Sequence, residues 1–249
     1  MHADIVSASI DFELAPHHDV AAYADTYART GRLHVPGLLR DGDALRLRDA
    51  LLHRAQWHLL IVHGEHRQLP LSQWDAIPAA HKQAMEASFA EGARVPGRFQ
   101  ARYLTTHLSN DGEPYAGPIP ELAALCRFLN SSAFLSFSRA VTGDSSIRLT
   151  DVHASQYRPG DFLHRHNDLI ETEYGDRVAA YILNLTPVWS AEWGGLLNFL
   201  DPAGHVDGAF TPAWNAMNFL KVPQMHFVST VAPFVNAPRL SVSGWVRRR

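Results

Sequence analysis

Three residues in the second half of the chain have the side chains and the spacing of a metal site. His166 and Asp168 are two residues apart, and an extended backbone at that spacing places both side chains on the same side. His226 opens a later β-like run and supplies a second imidazole. Two imidazoles and one carboxylate suit a non-haem Fe(II) ion and leave coordination positions open. The spacing therefore predicts that these three residues hold iron beside a chelating 2-oxo acid and O2.

A cation on a late strand could bind the far end of such a 2-oxo acid. Alternation along this strand places Arg239 on the same face as Ser241, Ser243 and Trp245. An arginine and two hydroxyls on one face are costly to bury unless an anion is bound there. The guanidinium offers parallel donors to a carboxylate such as the distal one of 2-oxoglutarate. Tyr157, on the strand that leads into the metal residues, could supply a second donor through its hydroxyl.

Each of these side chains also has a purely structural interpretation. His166 could be a surface-loop histidine, and His226 could be packed within a strand. Arg239 could form a surface salt bridge, and Tyr157 could be a half-buried packing residue. The chain has 15 histidines, so a single His-x-Asp pair is expected by chance and does not identify a metal site by itself.

Taken together, the motifs resemble the signature of the Fe(II)- and 2-oxoglutarate-dependent oxygenases. His226 follows His166 by 60 residues, and Arg239-x-Ser241 begins 13 residues after His226. The finer pattern resembles the prolyl 4-hydroxylase branch, and within it the ribosomal-protein prolyl hydroxylases and their bacterial relatives. The likeness covers about Thr150 to Trp245, and it is carried by the segments 177–185, 187–195, 212–215 and 239–245.

The resemblance implies a distorted double-stranded β-helix, a jelly roll with iron near its open end. It implies that Fe(II) is the metal, that 2-oxoglutarate and O2 are co-substrates, and that Ser241 assists Arg239 and Tyr157. The substrate side is expected to carry Arg177, Asn184 and Trp245. The implied reaction hydroxylates an unactivated C–H of a prolyl residue in a peptide, or of free proline, and releases succinate and CO2. Another amino acid or a small metabolite is the alternative substrate.

Two other functions compete with this interpretation. His164-x-His166 followed by Glu171 looks like half of a cupin metal motif, with His226 as the fourth ligand. A cupin-type metal protein of this kind would not use 2-oxoglutarate. However, Gly160 lies too close before His164, and the anion-binding face would have no role. The other possibility is a non-catalytic binding module on the same fold, with a decayed site.

The rest of the chain must position these residues. From Ile147 onward, short β-rich runs alternate with turn residues, which is typical of a sandwich or a jelly roll. The first 145 residues are helix-rich, and Pro120–Thr142 has the clearest helical spacing, with Gly143 as its end. We therefore expect a mainly β, α+β fold whose helices pack on one outer face of the roll. Residues 1–249 should form a single oxygenase domain, with 146–249 as the β-helix core and 1–145 supporting it and shaping the substrate entrance.

Composition excludes several classes of protein. The 249 residues are 46% hydrophobic and 19% charged, which is typical of a folded globular chain. A single cysteine, Cys126, excludes a disulfide framework and a cysteine-based zinc site. A net charge of −3 does not favour nucleic acid or a membrane as partner. The resemblance implies a small-molecule or peptidyl-proline substrate. The sequence shows no secretory signal, and arginine far outnumbers lysine, so we expect a cytoplasmic, bacterial protein.

Overall fold

The computed structural model describes residues 10–169 and 176–249. Helices and strands alternate in the first half of the chain, and the second half consists almost entirely of strands. The helices are α1 (Val20–Thr30), α2 (Asp41–His53), α3 (Leu71–Ala76), α4 (Ala79–Ala93), α5 (Pro120–Leu129) and α6 (Ser132–Thr142). The strands of the first half are β1 (Arg32–Val35), β2 (His58–His63), β3 (Glu65–Pro70) and β4 (Gln100–Ser109). Those of the second half are β5 (Leu149–Thr150), β6 (Val152–Tyr157), β7 (Phe162–His166), β8 (Arg177–Asn184), β9 (Leu197–Leu200), β10 (Val206–Phe210), β11 (Ala216–Lys221), β12 (His226–Val228) and β13 (Arg239–Arg247).

The strands form one antiparallel sheet that curls into a nearly closed, barrel-like jelly roll. Its order is β1-β11-β8-β13-β6-β4-β7-β12-β9-β10, with β2 and β3 extending from β4 and β5 beside β13. The prediction of a jelly roll is confirmed. Strand β4 comes from the helix-rich half of the chain, yet it lies between β6 and β7 of the β-rich half. The two halves therefore contribute strands to the same sheet.

The helices cover the outer face of this sheet, as predicted. The main core buries α2, α5 and α6 against β8, β11 and β13. Leu108 of β4 belongs to this core, whereas Leu104 packs with Trp74 of α3 in a neighbouring cluster. Leu104 and Leu108 are four residues apart and so lie on the same face of β4. The other face of the roll lines an internal cavity.

The helix boundaries follow local chemistry. Pro120 occupies the first turn of α5, and Gly143 ends α6 with a left-handed φ of 73° that a glycine adopts without strain. The helical stretch predicted for Pro120–Thr142 is divided in two because the Ser131 hydroxyl accepts a hydrogen bond from the backbone N–H of Phe134, starting a new helix.

The sequence does not indicate β3 and β10. Most of their residues are exposed, so neither strand carries the alternating apolar pattern by which strands are recognised. Among the described residues, no helix combines the length and the apolar character needed to cross a membrane.

Candidate active site

The three predicted metal ligands converge at one end of the internal cavity. His166 ends β7, His226 begins β12, and the two residues pair across these strands. The potential ligand atoms of His166, Asp168 and His226 all lie within 4.8 Å of one another. Nε2 of His166 is 3.4 Å from Oδ1 of Asp168, and Nε2 of His226 is 3.5 Å from its Oδ2. This spacing suits one ion at the centre of the group.

The way Asp168 reaches this point differs from the expectation. The strand ends at His166, and Asp168 has a left-handed φ of 60°. Asp is one of the few residues other than glycine that tolerate this conformation. The carboxylate is therefore brought to the histidines by a turn after the strand and not by continued β alternation.

The backbone orients both imidazoles. Nδ1 of His166 is 2.9 Å from the carbonyl oxygen of His164, and Nδ1 of His226 is 2.8 Å from that of Gln224. A carbonyl oxygen can only accept, so each Nδ1 carries a hydrogen, and each Nε2 faces the carboxylate and is the atom that can bind either a proton or a metal ion. The histidines are thus in the tautomer that a metal ion requires.

Electrostatics keep this group ready to bind a cation. Burial would raise the pKa of Asp168, but the hydrogen bond from His166 and the charges of the two histidines outweigh it and lower that pKa to about 2. Burial and the neighbouring His166 lower the pKa of His226 to about 4. At neutral pH the carboxylate is ionised and His226 is neutral, which are the forms that bind Fe(II).

Arg239 lies at the other end of the cavity without a counter-charge. Its side chain is buried, with 3% of the residue exposed, and its Nε has no hydrogen-bond partner among the described residues. Tyr157 stands directly opposite on β6, and the Arg239 guanidinium carbon is 5.0 Å from the centre of its ring. Burial lowers the pKa of this arginine, and none of the described carboxylates forms an ion pair with it. An anionic ligand would provide the missing compensation.

One cavity of about 430 Å³ joins these two ends. Its lining includes the three metal-site residues, and it also includes most of the other predicted site residues, namely Tyr157, Arg177, Arg239, Ser241 and Trp245. The cavity is large enough for a 2-oxo acid and part of a second molecule.

Of the three residues expected on the substrate side, two line the cavity and one does not. The Arg177 guanidinium carbon is 3.4 Å from the centre of the Trp245 ring, and its Nη1 donates to the backbone oxygen of Asp168 at 3.1 Å. Both side chains line the cavity. Asn184 does not. It is fully buried beside Ser241, and its Nδ2 donates to the backbone oxygen of Ala216 at 3.3 Å.

The cupin-type metal group is not formed by the described residues. His164 is half-buried, and its Nδ1 lies 2.9 Å from the backbone oxygen of Arg98, outside the metal-site group. Glu171, the other ligand of that interpretation, lies outside the described residues. Asp168 takes the place that His164 would need.

The cavity lining also contains residues that were not predicted as site residues, among them Tyr103, His153 and Phe99. Tyr103 of β4 stacks on Tyr157 with ring centres 4.8 Å apart, and Nε2 of His153 is 3.0 Å from the Ser243 hydroxyl. Phe99, which is 43% exposed, lies edge-on to His166 at the mouth. Alternation within β4 could place Tyr103 on a face with Thr105, but only the sheet pairing reveals that this face is the interior.

Comparison with known proteins agrees with this geometry. Residues 152–247 match the model of the 2OG-Fe(II) oxygenase superfamily. Over these residues the chain is similar to the 2OG-Fe(II) oxygenases, and the relatives described below are named prolyl hydroxylases. The likeness implies Fe(II) as the metal, with 2-oxoglutarate and O2 as co-substrates. The residues fit both groups, since a cluster of two histidines and an aspartate faces an uncompensated buried arginine across one cavity. The family match and this geometry favour an oxygenase over a cupin-type protein and over a non-catalytic module.

The chain has relatives among both curated sequences and solved structures. It is 29% identical over 178 residues to prolyl 3-hydroxylase OGFOD1 of Mus musculus, covering 69% of this chain and 30% of that protein. The match to the Xenopus laevis counterpart is 35% identical over 105 residues, or 39% of this chain and 20% of the relative. The chain thus spans less than a third of the length of these curated relatives.

The solved structures share the fold. A Pseudomonas putida prolyl-4-hydroxylase superposes with a TM-score of 0.58 at 18% identity, covering 92% of this oxygenase and 99% of that chain. A Trichoplax adhaerens prolyl hydroxylase, in complex with a peptide fragment of the hypoxia inducible factor oxygen degradation domain, superposes with a TM-score of 0.56 at 13% identity, covering 92% and 89%.

Proposed function

We propose that this oxygenase hydroxylates a C–H bond of a prolyl residue within a peptide or protein, with release of succinate and CO2. The observation that carries the proposal is a single cavity with a cation-binding group at one end and an uncompensated buried arginine at the other. A dicarboxylic 2-oxo acid fits both ends at once, because its keto acid head chelates a metal and its distal carboxylate pairs with a guanidinium.

The chain's own residues divide the work between binding and orientation. His166, Asp168 and His226 would hold Fe(II), which when bound supplies the activation of O2 for C–H hydroxylation coupled to decarboxylation of 2-oxoglutarate. Arg239 and the Tyr157 hydroxyl would fix the distal carboxylate, so that only one orientation of the co-substrate is favourable. Val228 and Leu163 pack beside Tyr157 and limit the access of water to this end.

The mouth of the cavity suits a prolyl ring. Trp245 presents an aromatic surface that Arg177 holds in place by stacking, and Phe99 is exposed beside the metal site. A saturated, uncharged ring packs well on aromatic faces and makes no demand for buried hydrogen bonds. The curated relatives, which are named prolyl 3-hydroxylases, point to the same class of substrate.

The first test is spectroscopic. Fe(II) is added anaerobically to the metal-free protein, followed by 2-oxoglutarate, and the visible charge-transfer band of a chelated 2-oxo acid is recorded. A band that saturates with 2-oxoglutarate supports the proposal. Iron binding without any such band would show that the co-substrate does not chelate the metal and would overturn the proposed reaction.

The second test concerns the substrate. Succinate formation in air is compared among prolyl peptides, the same peptides with alanine in place of proline, and free L-proline. Succinate production that rises only with prolyl peptides, together with a mass gain of one oxygen, supports a peptidyl target. Stimulation by free proline or another metabolite alone would move the assignment to a small-molecule oxygenase.

A further inference from the structure

A row of three side chains crosses the sheet at the closed end of the cavity. Arg239 of β13 pairs with Tyr157 of β6. The antiparallel register between β4 and β6, in which Leu104 is opposite Gln156, places Tyr103 beside Tyr157. Tyr103, Tyr157 and Arg239 therefore stand side by side on three adjacent strands and face the same interior.

The two tyrosine rings hold each other in place. They stack at 4.8 Å with only 19° between their planes. Neither hydroxyl makes a hydrogen bond to any of the described residues, although both residues line the cavity. Phenol groups inside a protein usually find a partner, so two unsatisfied ones beside an unpaired arginine indicate that a ligand supplies the acceptor.

Both phenols remain donors under physiological conditions. Burial and the nearby Asp168 charge raise the pKa of Tyr103 to about 12. Burial also raises the pKa of Tyr157, more than Arg239 lowers it. A carboxylate has about four lone-pair sites and can accept from the guanidinium and from phenols at once.

The position of Tyr103 along the sheet matches the path of the co-substrate. Its strand, β4, lies between β6 on one side and β7, which carries the metal ligand His166, on the other. Tyr103 lines the same cavity as the metal-site residues and Arg239. Tyr103 thus lies on the route that 2-oxoglutarate takes in the proposed function.

We propose that Tyr103 is a 2-oxoglutarate-binding residue that donates a hydrogen bond from its hydroxyl to a carboxylate of the co-substrate, beside Tyr157 and Arg239. This inference rests on the proposed function. The competing explanation is that Tyr103 only supports the Tyr157 ring from below, in which case its hydroxyl has no role.

The variant Tyr103→Phe separates the two explanations, because it keeps the stacked ring and removes only the hydroxyl. The dissociation constant of 2-oxoglutarate is measured anaerobically on the Fe(II) protein through the charge-transfer band and by calorimetry. A lost hydrogen bond to a charged acceptor weakens binding by about ten-fold or more. The matched control is Tyr27→Phe, which also removes a buried hydroxyl without a partner, but in the main helical core.

A second ligand locates the contact. 2-Oxovalerate has the same keto acid head but no distal carboxylate. If Tyr103→Phe weakens the binding of 2-oxoglutarate but not that of 2-oxovalerate, the hydroxyl binds the distal carboxylate. If the binding of the two acids is weakened equally, the hydroxyl binds the carboxylate next to the keto group. Either result supports the inference.

The same measurements distinguish a failure of the proposed function from a failure of the role proposed for Tyr103. If the wild-type protein binds iron but not 2-oxoglutarate, the proposed function itself fails. If the wild type binds 2-oxoglutarate and Tyr103→Phe binds it equally well, only the role of Tyr103 is wrong. Iron affinity and thermal unfolding are measured for the same samples, and a loss of either that accounts for the weaker binding would also overturn the inference.

Discussion

The two ends of the cavity handle buried charge in opposite ways. At the metal end, Asp168 lies within 3.5 Å of both histidine Nε2 atoms, so the carboxylate is stabilised by the protein before any ligand arrives. At the other end, Arg239 is equally enclosed but has no ion pair and an unsatisfied Nε among the described residues. The metal end is therefore preorganised and internally compensated, whereas the arginine end is completed only by an anion.

Removing the carboxylate of the metal end should have the largest effect. Asp168→Asn takes away the only negative charge of the ligand group, so we expect Fe(II) binding to weaken by more than about 100-fold and 2-oxoglutarate turnover to stop. Iron content after gel filtration and succinate formation measure the two effects. Asp207→Asn, which changes an exposed carboxylate paired with Arg32, should behave as wild type. Retention of iron by the Asp168 variant would show that another residue supplies the anionic ligand.

Replacing Arg239 with methionine directly tests the difference in charge compensation between the two ends of the cavity. We expect 2-oxoglutarate to bind about 100-fold more weakly, since a buried carboxylate–guanidinium pair loses one partner. We also expect the ligand-free protein to become more stable by about 1–4 kcal/mol, because an apolar side chain of similar volume replaces an uncompensated buried charge. Urea unfolding without 2-oxoglutarate measures this change in the free energy of unfolding.

The control for this stabilisation is Arg32→Met. Arg32 is paired with Asp207 at 2.7 Å, so its charge is compensated and its removal should not stabilise the protein. If Arg239→Met destabilised the ligand-free protein as much as a core truncation does, the arginine end would be compensated within the chain and the contrast between the two ends would disappear.

His153 lines the same cavity, and the contrast between its two ends requires this histidine to be uncharged at neutral pH. Burial, followed by the charge of His107, lowers the pKa of His153 to about 4. The unfolded chain, with a pKa near 6.5, binds this proton more readily than the folded protein does. The stability linked to His153 is thus fully present above pH 6.5 and declines as the pH falls from 6.5 to 4.

The variant His153→Gln separates the pH-dependent stability linked to His153 from that linked to the other histidines. We expect it to lose less stability than the wild type between pH 6.5 and pH 4, measured by urea unfolding of the metal-free protein. Parallel pH profiles of the two proteins would mean that burial does not depress the pKa of His153 and that the cavity accepts a charge on this histidine.

The smallest effect should come from Ser241. Its hydroxyl is 2.9 Å from that of Ser155, so it already has a partner and can give only part of its hydrogen-bonding capacity to a ligand. Ser241→Ala should weaken 2-oxoglutarate binding by about two- to five-fold in the same titration. Ser155→Ala, which leaves the Ser241 hydroxyl in place, should retain the affinity. A loss as large as that of the Arg239 variant would give Ser241 an equal role in anion binding.

The parts of the site that the sequence predicts are those whose geometry is local. Alternation within β13 suffices to place Arg239, Ser241 and Trp245 on one face, and the structure has them there. The same logic fails for Asn184, which shares the interior face of β8 but is covered by neighbouring side chains and does not reach the cavity. Alternation gives the direction of a side chain, but it does not give the depth at which that side chain ends.

Tyr103 shows why distant contributions escape sequence reasoning. It lies 54 residues before Tyr157, in a part of the chain that matches no motif, and it becomes a neighbour only because β4 inserts between β6 and β7. Pairing between strands so far apart is decided by the packing of the whole sheet, which no short window of sequence contains.

The sequence by itself determined the ligand types, their order along the chain, the strand face that carries Arg239 and the general class of fold. These follow from side-chain chemistry and from the two-residue period of a strand, which are local properties. Only the tertiary structure decided that Asp168 reaches the metal site through a left-handed turn, that no described carboxylate pairs with Arg239, and that Tyr103 stands beside Tyr157. Burial and convergence depend on contacts between residues far apart in the chain, and so they appear only once the roll has closed.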